Sequence, residues 1–304
     1  MRFLVVGHFA FDVFHSQDGS EVETSGGIQH AVRTLAALAG KGDVVIPVFG
    51  VQRGERTPLV GQLERLPGLD TSGIFEFEQP TNRVHVFQSK GGGRVVCSKD
   101  ISPPIPFDRI KRYLDVDGIL VNMVSGSDIA LETLDQIRMA VRSGGVPIHF
   151  DYHNLTLGIN AVHERFRRPV PEWRRWAFMI DTLQLNEEEI AGLPVERMPE
   201  EQTVGHLLTL SVKAVLVTRG YRGVTLFQNE HKHVLRSEIG EPFGDGSAER
   251  IGSGDVFGAA FVYHYVRSSN IRVSAEAANS FASSHRQMQA EHRAGASGNS
   301  SEQP

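Results

Sequence analysis

Residues 249–265 of the chain read ERIGSGDVFGAAFVYHY. A small-residue turn, Gly252-Ser253-Gly254, leads into an acid, Asp255, and an almost wholly apolar run follows. Glycines lack a Cβ and let the backbone approach an anion closely. If a helix starts here, the free N–H groups of its first turn point at that anion, and the helix dipole favours negative charge there. An isolated aspartate at the same place would be repelled by a bound phosphate. Its presence suggests a chemical task. Asp255 accepts a proton from a hydroxyl while the backbone of Gly252, Ser253 and Gly254 holds the charge that moves. The plain alternative is that Asp255 is a helix cap and the glycines an ordinary loop end.

Other positions carry chemistry that fits the same task. Asp12 follows a β-rich apolar run, RFLVVGHFAF, broken by Gly7. A carboxylate at a strand end accepts two hydroxyl protons well, and burying it without them is costly. A turn aspartate is the plainer reading. Ser25-Gly26-Gly27 is a second small-residue turn before a helix. Asn186-Glu187-Glu188-Glu189 puts acids at a helix start. The helix dipole alone favours acids there. His149, Asp151 and His153 alternate and would share one face if their strand continued. Two histidines and an aspartate could bind a metal. Strand-end residues lining a cleft are the commoner arrangement. Residues 166–176, FRRPVPEWRRW, hold four arginines and both tryptophans. They read as a solvated surface helix or oligomer contact, with Arg stems over exposed Trp faces, and otherwise as a contact for an acidic substrate or partner.

Together these stretches resemble the ribokinase-like (PfkB) carbohydrate and nucleoside kinases. Residues 249–257 resemble the family's C-terminal signature, D-T-x-G-A-G-D-x-F. The G-x-G-D-x-F core matches, with Glu249, Arg250, Ile251 and Ser253 at the remaining positions. Gly7 and Asp12 fit the family's G-x-x-x-x-D, whose aspartate binds sugar hydroxyls. Gly26-Gly27 fit its Gly-Gly pair, which packs close to substrate. The Asn usual four residues later is Ala31 here, leaving Gln29 or His30 to stand in its place. Leu69-Asp70-Thr71-Ser72-Gly73-Ile74 resembles the connector G-V-D-T-S-G-V, and Asp151-Tyr152-His153-Asn154-Leu155 is a loose relative of D-x-N-x-R. Asn186 and Glu189 fit N-x-x-E, which the resemblance makes an indirect organiser of Mg²⁺. Residues 218–223 resemble T-x-G-x-x-G, which implies that Thr218, Gly220 and Gly223 lie against the nucleotide. Asn279 falls where the family lines its adenine pocket. The resemblance covers roughly residues 1–290.

The elements that must position these residues follow from periodicity. Residues 2–11 read as a buried strand, 28–39 as a helix ended by Gly40, 44–51 as a second strand, and 57–66 as an amphipathic helix capped by Thr57-Pro58. Residues 83–89 and 94–98 are short β-prone runs joined by Lys90-Gly91-Gly92-Gly93, the pattern of a hairpin. Successive strands break the β/α rhythm. Segments near 13–24 and 75–100 are therefore expected to form a small sheet projecting from the body. In the family such a sheet is a lid over the substrate, and often a dimer surface. A lid would keep water from competing as phosphoryl acceptor. The rhythm resumes with strands at 117–124, 146–151, 178–185 and 214–218, and a helix at 128–142. A hairpin is expected at 224–235, a loop at 238–247 and a last helix at 271–292. Residues 295–304 are small and polar and read as a disordered tail after one domain over 1–294. The predicted fold is α/β, a doubly wound, mostly parallel central sheet flanked by helices, with a small β-sheet lid.

Composition agrees with this class. The chain has 304 residues, 40% apolar and 22% charged, ample for a large core. A net charge of −5 argues against a general nucleic-acid binder. The single cysteine, Cys97, permits no internal disulfide and no Cys-type zinc site. No apolar run reaches the ~18 residues of a membrane span, so a soluble cytoplasmic protein is expected. There is no G-x-x-x-x-G-K-[ST], no G-x-S-x-G and no G-x-G-x-x-G after the first strand. A Walker-type NTPase, a serine hydrolase and a nicotinamide oxidoreductase are disfavoured. The expected activity is ATP- and Mg²⁺-dependent phosphorylation of a hydroxyl on a sugar, nucleoside or related alcohol. Asp255 is the base, Asp12, Gly26, Gly27 and His30 bind the acceptor, and a homodimer forms through the lid. The alternative is a non-catalytic sugar- or nucleoside-binding regulatory protein on the same fold, motivated by Glu249-Arg250-Ile251 and Ala31.

Overall fold

The computed structural model describes residues 1–16, 18–88, 94–196, 198–230, 233–240 and 252–298. The first apolar run makes two strands, β1 (Arg2–Gly7) and β2 (Phe9–His15), separated only by His8. A third strand, β3 (Glu21–Gly27), runs into helix α1 (Gln29–Leu38). After β4 (Val44–Gln52) comes α2 (Arg56–Leu63). That helix starts one residue before the expected Thr57-Pro58 cap, and Glu55 precedes it without a side-chain cap. Asp70 caps the short turn at Thr71–Gly73 by accepting from the Ser72 N–H at 3.0 Å, and β5 (Ile74–Phe77) follows. Next come β6 (Asn82–Gln88), β7 (Arg94–Lys99), α3 (Phe107–Ile110), β8 (Gly118–Asn122), α4 (Leu131–Val141) and β9 (Ile148–Asp151). An insertion contributes β10 (Leu157–Ile159) and β11 (Arg165–Arg167) before α5 (Trp173–Phe178). The remainder is β12 (Thr182–Asn186), α6 (Glu187–Gly192), α7 (Glu200–Thr209), β13 (Ala214–Thr218), β14 (Val224–Glu230), β15 (His233–Ile239), α8 (Ser253–Ser268) and α9 (Ile271–Gly298).

Nine of the strands form the central sheet, in the order β15-β14-β13-β12-β9-β8-β1-β4-β5. It is parallel from β5 to β13, and antiparallel only where β14 and β15 are added. Side chains on β1 divide between the two faces, as alternation requires. Leu4 and Val6 join a core with residues of α3 to α7, while Phe3 and Val5 join one with α1, α2 and α8. Helices therefore cover both faces, the doubly wound arrangement expected. Among the described residues no helix is long and apolar enough to cross a membrane.

A separate four-stranded sheet, β3-β2-β6-β7, stands beside it. The strands expected at 83–89 and 94–98 pair there antiparallel, from Arg83 opposite Lys99 to Gln88 opposite Arg94. The link Lys90–Gly93 lies outside the described residues. β5 does not belong to this sheet, because Ile74 to Phe77 pair with β4 in the main one. The second segment of the small sheet therefore begins at Asn82 rather than near 75. Two other expectations are corrected. Residues 178–181 are not strand, since Phe178 ends α5 and β12 starts at Thr182. Trp173 and Trp176 are not exposed faces: both are buried in the main core, although the Arg174 guanidinium does lie over the Trp173 ring. α9 runs on to Gly298, so residues 295–298 are helical, while 299–304 lie outside the described residues.

Candidate active site

Side chains from β8, β9 and β12 converge on the start of α8. Gly252 precedes the helix with a left-handed backbone, φ 83°. A Cβ there would come within 2.8 Å of the His30 ring, so only glycine fits on both counts. Gln184 of β12 holds the turn by donating through Nε2 to the Gly254 carbonyl at 3.0 Å. Asp255 is 5% exposed, and its Oδ1 accepts from Asn122 Nδ2 at 2.6 Å. Asn122 ends β8 fully buried, and among the described residues its Oδ1 has no hydrogen-bond partner. Asn122 and Gln184 escaped the sequence reading. The only signal for each was a polar side chain inside an otherwise apolar strand, GILVN and TLQLN.

Asp151, at the end of β9, joins Asp255 from the neighbouring strand. His153 follows in a tight turn with φ 35°, and the donor atoms of Asp151, His153 and Asp255 all lie within 4.8 Å of one another. Burial pushes the Asp151 carboxyl well above the usual carboxylate range. The charges of Asp255 and Glu189 add to that rise, and His153 opposes it. Burial pulls the His153 imidazole down, but Asp255, Asp151 and Glu189 outweigh it and hold the imidazole above its ordinary value. The three groups could grip a cation, yet the same carboxylates also favour a positive charge on His153 itself. His149 shares the strand face of Asp151 but not the cluster. Its Nδ1 bonds the Thr182 hydroxyl at 2.8 Å and its Nε2 lies 3.4 Å from Gln184 Oε1. The alternating trio of the sequence therefore does not gather as a metal site. Asp255 takes the place of His149.

The expected acceptor side assembles on the small sheet. Asp12, on β2, lies over Gly26, where a Cβ would fall 2.2 Å from Asp12 Oδ2. Gly27 has φ 61°, and a Cβ there would meet the His8 carbonyl at 2.7 Å. His30, in the first turn of α1, sets its ring against Gly252, and its Nε2 is buried with no hydrogen-bond partner among the described residues. Ala31 is wholly buried among Ile28 and Val32, so that position faces the core. Burial raises the Asp12 carboxyl above its ordinary value, and Asp255 adds to the rise, against the pull of His30, Arg165 and His153. Asp12, Gly26, Gly27, His30, Gly252 and Asp255 are thus brought together across the two sheets.

The expected nucleotide side lies toward β13 to β15. Thr218 ends β13, and its hydroxyl donates to the Leu185 carbonyl at 3.4 Å. Gly220 and Gly223 take positive φ, and a Cβ on Gly223 would strike the Ile239 carbonyl at 2.2 Å. Asn279 of α9 abuts Gly240, where a Cβ would fall 2.4 Å from its Nδ2. Residues 241–251, including Glu249, Arg250 and Ile251, lie outside the described residues. Asn186 and Glu189 form a reciprocal capping box. Glu189 N donates to Asn186 Oδ1 at 2.8 Å, Asn186 N to Glu189 Oε2 at 2.8 Å, and Asn186 Nδ2 to Glu189 Oε1 at 2.7 Å. Glu189 is buried, which raises its carboxyl, and it adds to the negative charge around His153.

Comparison with known proteins bears on this arrangement. Residues 159–290 match the model of the pfkB family carbohydrate kinases. The fold is that of the ribokinases. It superposes on a ribokinase from Thermotoga maritima with a TM-score of 0.69 at 19% identity, covering 93% of this chain and 91% of the other. The fold is thus ribokinase-like, and the stretch 159–290 is similar to the PfkB carbohydrate kinases. The same ribokinase-like fold aligns with the Arabidopsis thaliana ribokinase complexed with ribose and ATP, with a TM-score of 0.67 at 20% identity over 91% of each chain. It also aligns with a sulfate complex of a pyrophosphate-dependent kinase in the ribokinase family, with a TM-score of 0.73 at 14% identity over 93% and 94% of the chains. No curated protein sequence matches the chain.

Proposed function

We propose that this ribokinase-like chain transfers the γ-phosphoryl group of ATP to a hydroxyl of a sugar, nucleoside or related alcohol. The observation that carries this reading is the placement of Asp255. It is a buried carboxylate in the first turn of α8, behind a glycine turn whose N–H groups have no partner within the helix, and facing Asp12 across the two sheets. Asp255 takes the proton from the acceptor hydroxyl, and Asn122 Nδ2 orients its carboxylate. The N–H groups of Gly252, Ser253 and Gly254 stabilise charge on the migrating phosphoryl group, strengthened by the helix dipole. Asp12 and the backbone of Gly26 and Gly27 hold the acceptor, with His30 closing that side. Thr218, Gly220, Gly223 and Asn279 take the nucleotide. Little covalent work falls to the protein, so positioning and electrostatics carry the rate.

The oxygen-rich surroundings of Asn186 and Glu189 fit Mg²⁺ held through its waters. Each Glu189 oxygen accepts one bond within the capping box and keeps a lone pair for a water. The ion would offset phosphate charge.

The test is phosphoryl transfer by the full chain to a panel of sugars and nucleosides, with Mg-ATP and pyrophosphate assayed side by side as donors. Pyrophosphate is included because a similar structure is a pyrophosphate-dependent kinase. Asp255→Asn should lower kcat by about 10²–10⁴-fold while nucleotide affinity changes little. Wild-type turnover in that variant would reject the assignment of the base. Binding of Mg-ATP and acceptor with no ADP formed would favour a non-catalytic binding protein. The buried Ala31 motivates that second reading.

A further inference from the structure

We infer that the acceptor of this site carries a negative group, a carboxylate or a phosphate, which Arg165 binds at the end away from the reacting hydroxyl. The inference rests on the functional reading above and deepens it. β11 alternates, so Arg165 and Arg167 share one side and Phe166 takes the other, where its ring covers Gly158. The Arg167 guanidinium is engaged with the Thr156 hydroxyl at 2.8 Å and with Glu188 at 3.1 Å. Arg165 differs. It is half-buried, and its Nε donates to Ser98 Oγ at 2.6 Å. Among the described residues its two terminal nitrogens have no hydrogen bond and no ion pair.

The guanidinium is therefore oriented by the small sheet with its fork open, the arrangement that takes a carboxylate or phosphate through two parallel bonds. Asp12 does not fill that role. Each feels the other's charge, but no ion pair joins them, and Asp12 remains above its ordinary range despite Arg165. Burial lowers the Arg165 guanidinium from its ordinary value, so its charge is incompletely compensated inside the protein. Arg165 also travels with the acceptor side. The Ser98 N–H donates to the His163 carbonyl at 2.9 Å, and Cys97 bridges to Glu164, so the β10–β11 hairpin is fastened to β7. An acceptor gripped by Asp12 near its middle and by Asp255 at one hydroxyl would present its far end to this fork.

The test is calorimetric binding of three matched pairs to the full chain without nucleotide: ribose and ribose 5-phosphate, fructose and fructose 6-phosphate, glucose and gluconate. In at least one pair the anionic member should bind tenfold or more tightly. The pairs separate a phosphate from a carboxylate preference. Arg165→Gln should abolish the advantage and leave the neutral member within about twofold, and Arg165→Lys should keep part of it. The inference is overturned if no anionic member binds better than its neutral partner, including the case where none binds. It is also overturned if Arg165→Gln keeps the preference, or if that variant weakens pyrophosphate or ATP binding instead. Should Arg165→Gln lack a cooperative melt, the wild-type preference and Arg165→Lys decide the matter. Anion-dependent binding with no transfer on adding Mg-ATP would sink the kinase reading and leave this one standing. Transfer to neutral alcohols with no anionic preference would do the reverse.

Discussion

At the scale of single residues, the glycines around Asp12 and Asp255 are fixed by what would collide with them. Gly26 is the sharpest case, because a methyl group there would sit on the Asp12 carboxylate. Gly26→Ala should displace Asp12 and raise the acceptor KM by roughly tenfold or more, while the donor KM stays within about twofold. Steady-state kinetics with each substrate varied in turn would check this, and an equal rise in both would count against the division of the site. Asp12, Gly26, Gly27, Gly252 and Asp255 were legible in the sequence because small residues and a lone acid beside apolar runs are locally conspicuous. Asn122 and Arg165 were not. Asn122 meets Asp255 across 133 positions of chain, and Arg165 meets Ser98 across 67. Such partners leave no local pattern. His149, Asp151 and His153 were noticed through their alternation, but the strand ends at Asp151, and the turn after it sends His153 to Asp255 instead of aligning it with His149.

At the scale of elements, β9 and β12 carry polar side chains toward α8, and this imposes a pH dependence on the fold. His149 is buried between Thr182, Gln184 and the Phe261 ring, and burial pushes its imidazole down to about 4. The unfolded chain would take up that proton near 6.5. The resulting stability is fully present above about pH 6.5 and is lost as pH falls toward about 4, on the order of 3 kcal/mol in all. Melting temperature followed across that window should drop less steeply for His149→Gln than for the wild type. Parallel curves would remove His149 as the cause. Most elements were readable from periodicity, and the errors have local reasons. The tryptophans beside Arg174 and Arg175 suggested an exposed face, yet Arg174 covers the Trp173 ring from outside while the core holds it from within. Residues 178–181 are apolar enough for strand, but α5 and the turn after it claim them, and Asp181 is held by Arg138 and Lys213.

At the scale of the whole molecule, the two sheets are joined through His8 and a buried network beneath it. Asp128 is fully buried and accepts from the His8 N–H at 2.6 Å, the Ser125 N–H at 2.9 Å and the Gly126 N–H at 3.0 Å. The His8 ring reaches Ser125 Oγ at 2.8 Å and the Pro103 carbonyl at 3.1 Å. Asp128→Ala would strand these donors and should cost about 2–4 kcal/mol, read as a lowered midpoint in urea with an unchanged slope. A variant as stable as the wild type would show that the junction is held by other contacts. The alternation of strand and helix predicted the doubly wound body, and the run of short strands predicted the second sheet. The single-residue break at His8 was hidden, because RFLVVGHFAF reads as one strand by composition.

That break has a mechanical result. Asp12 rides on the four-stranded sheet, whereas Asp255 stays with the nine-stranded body. Rocking of the smaller sheet about His8 would therefore change the spacing of the two carboxylates. A molecule long enough to touch both acts as a clasp that restores their spacing, and a lone water is too short to do so.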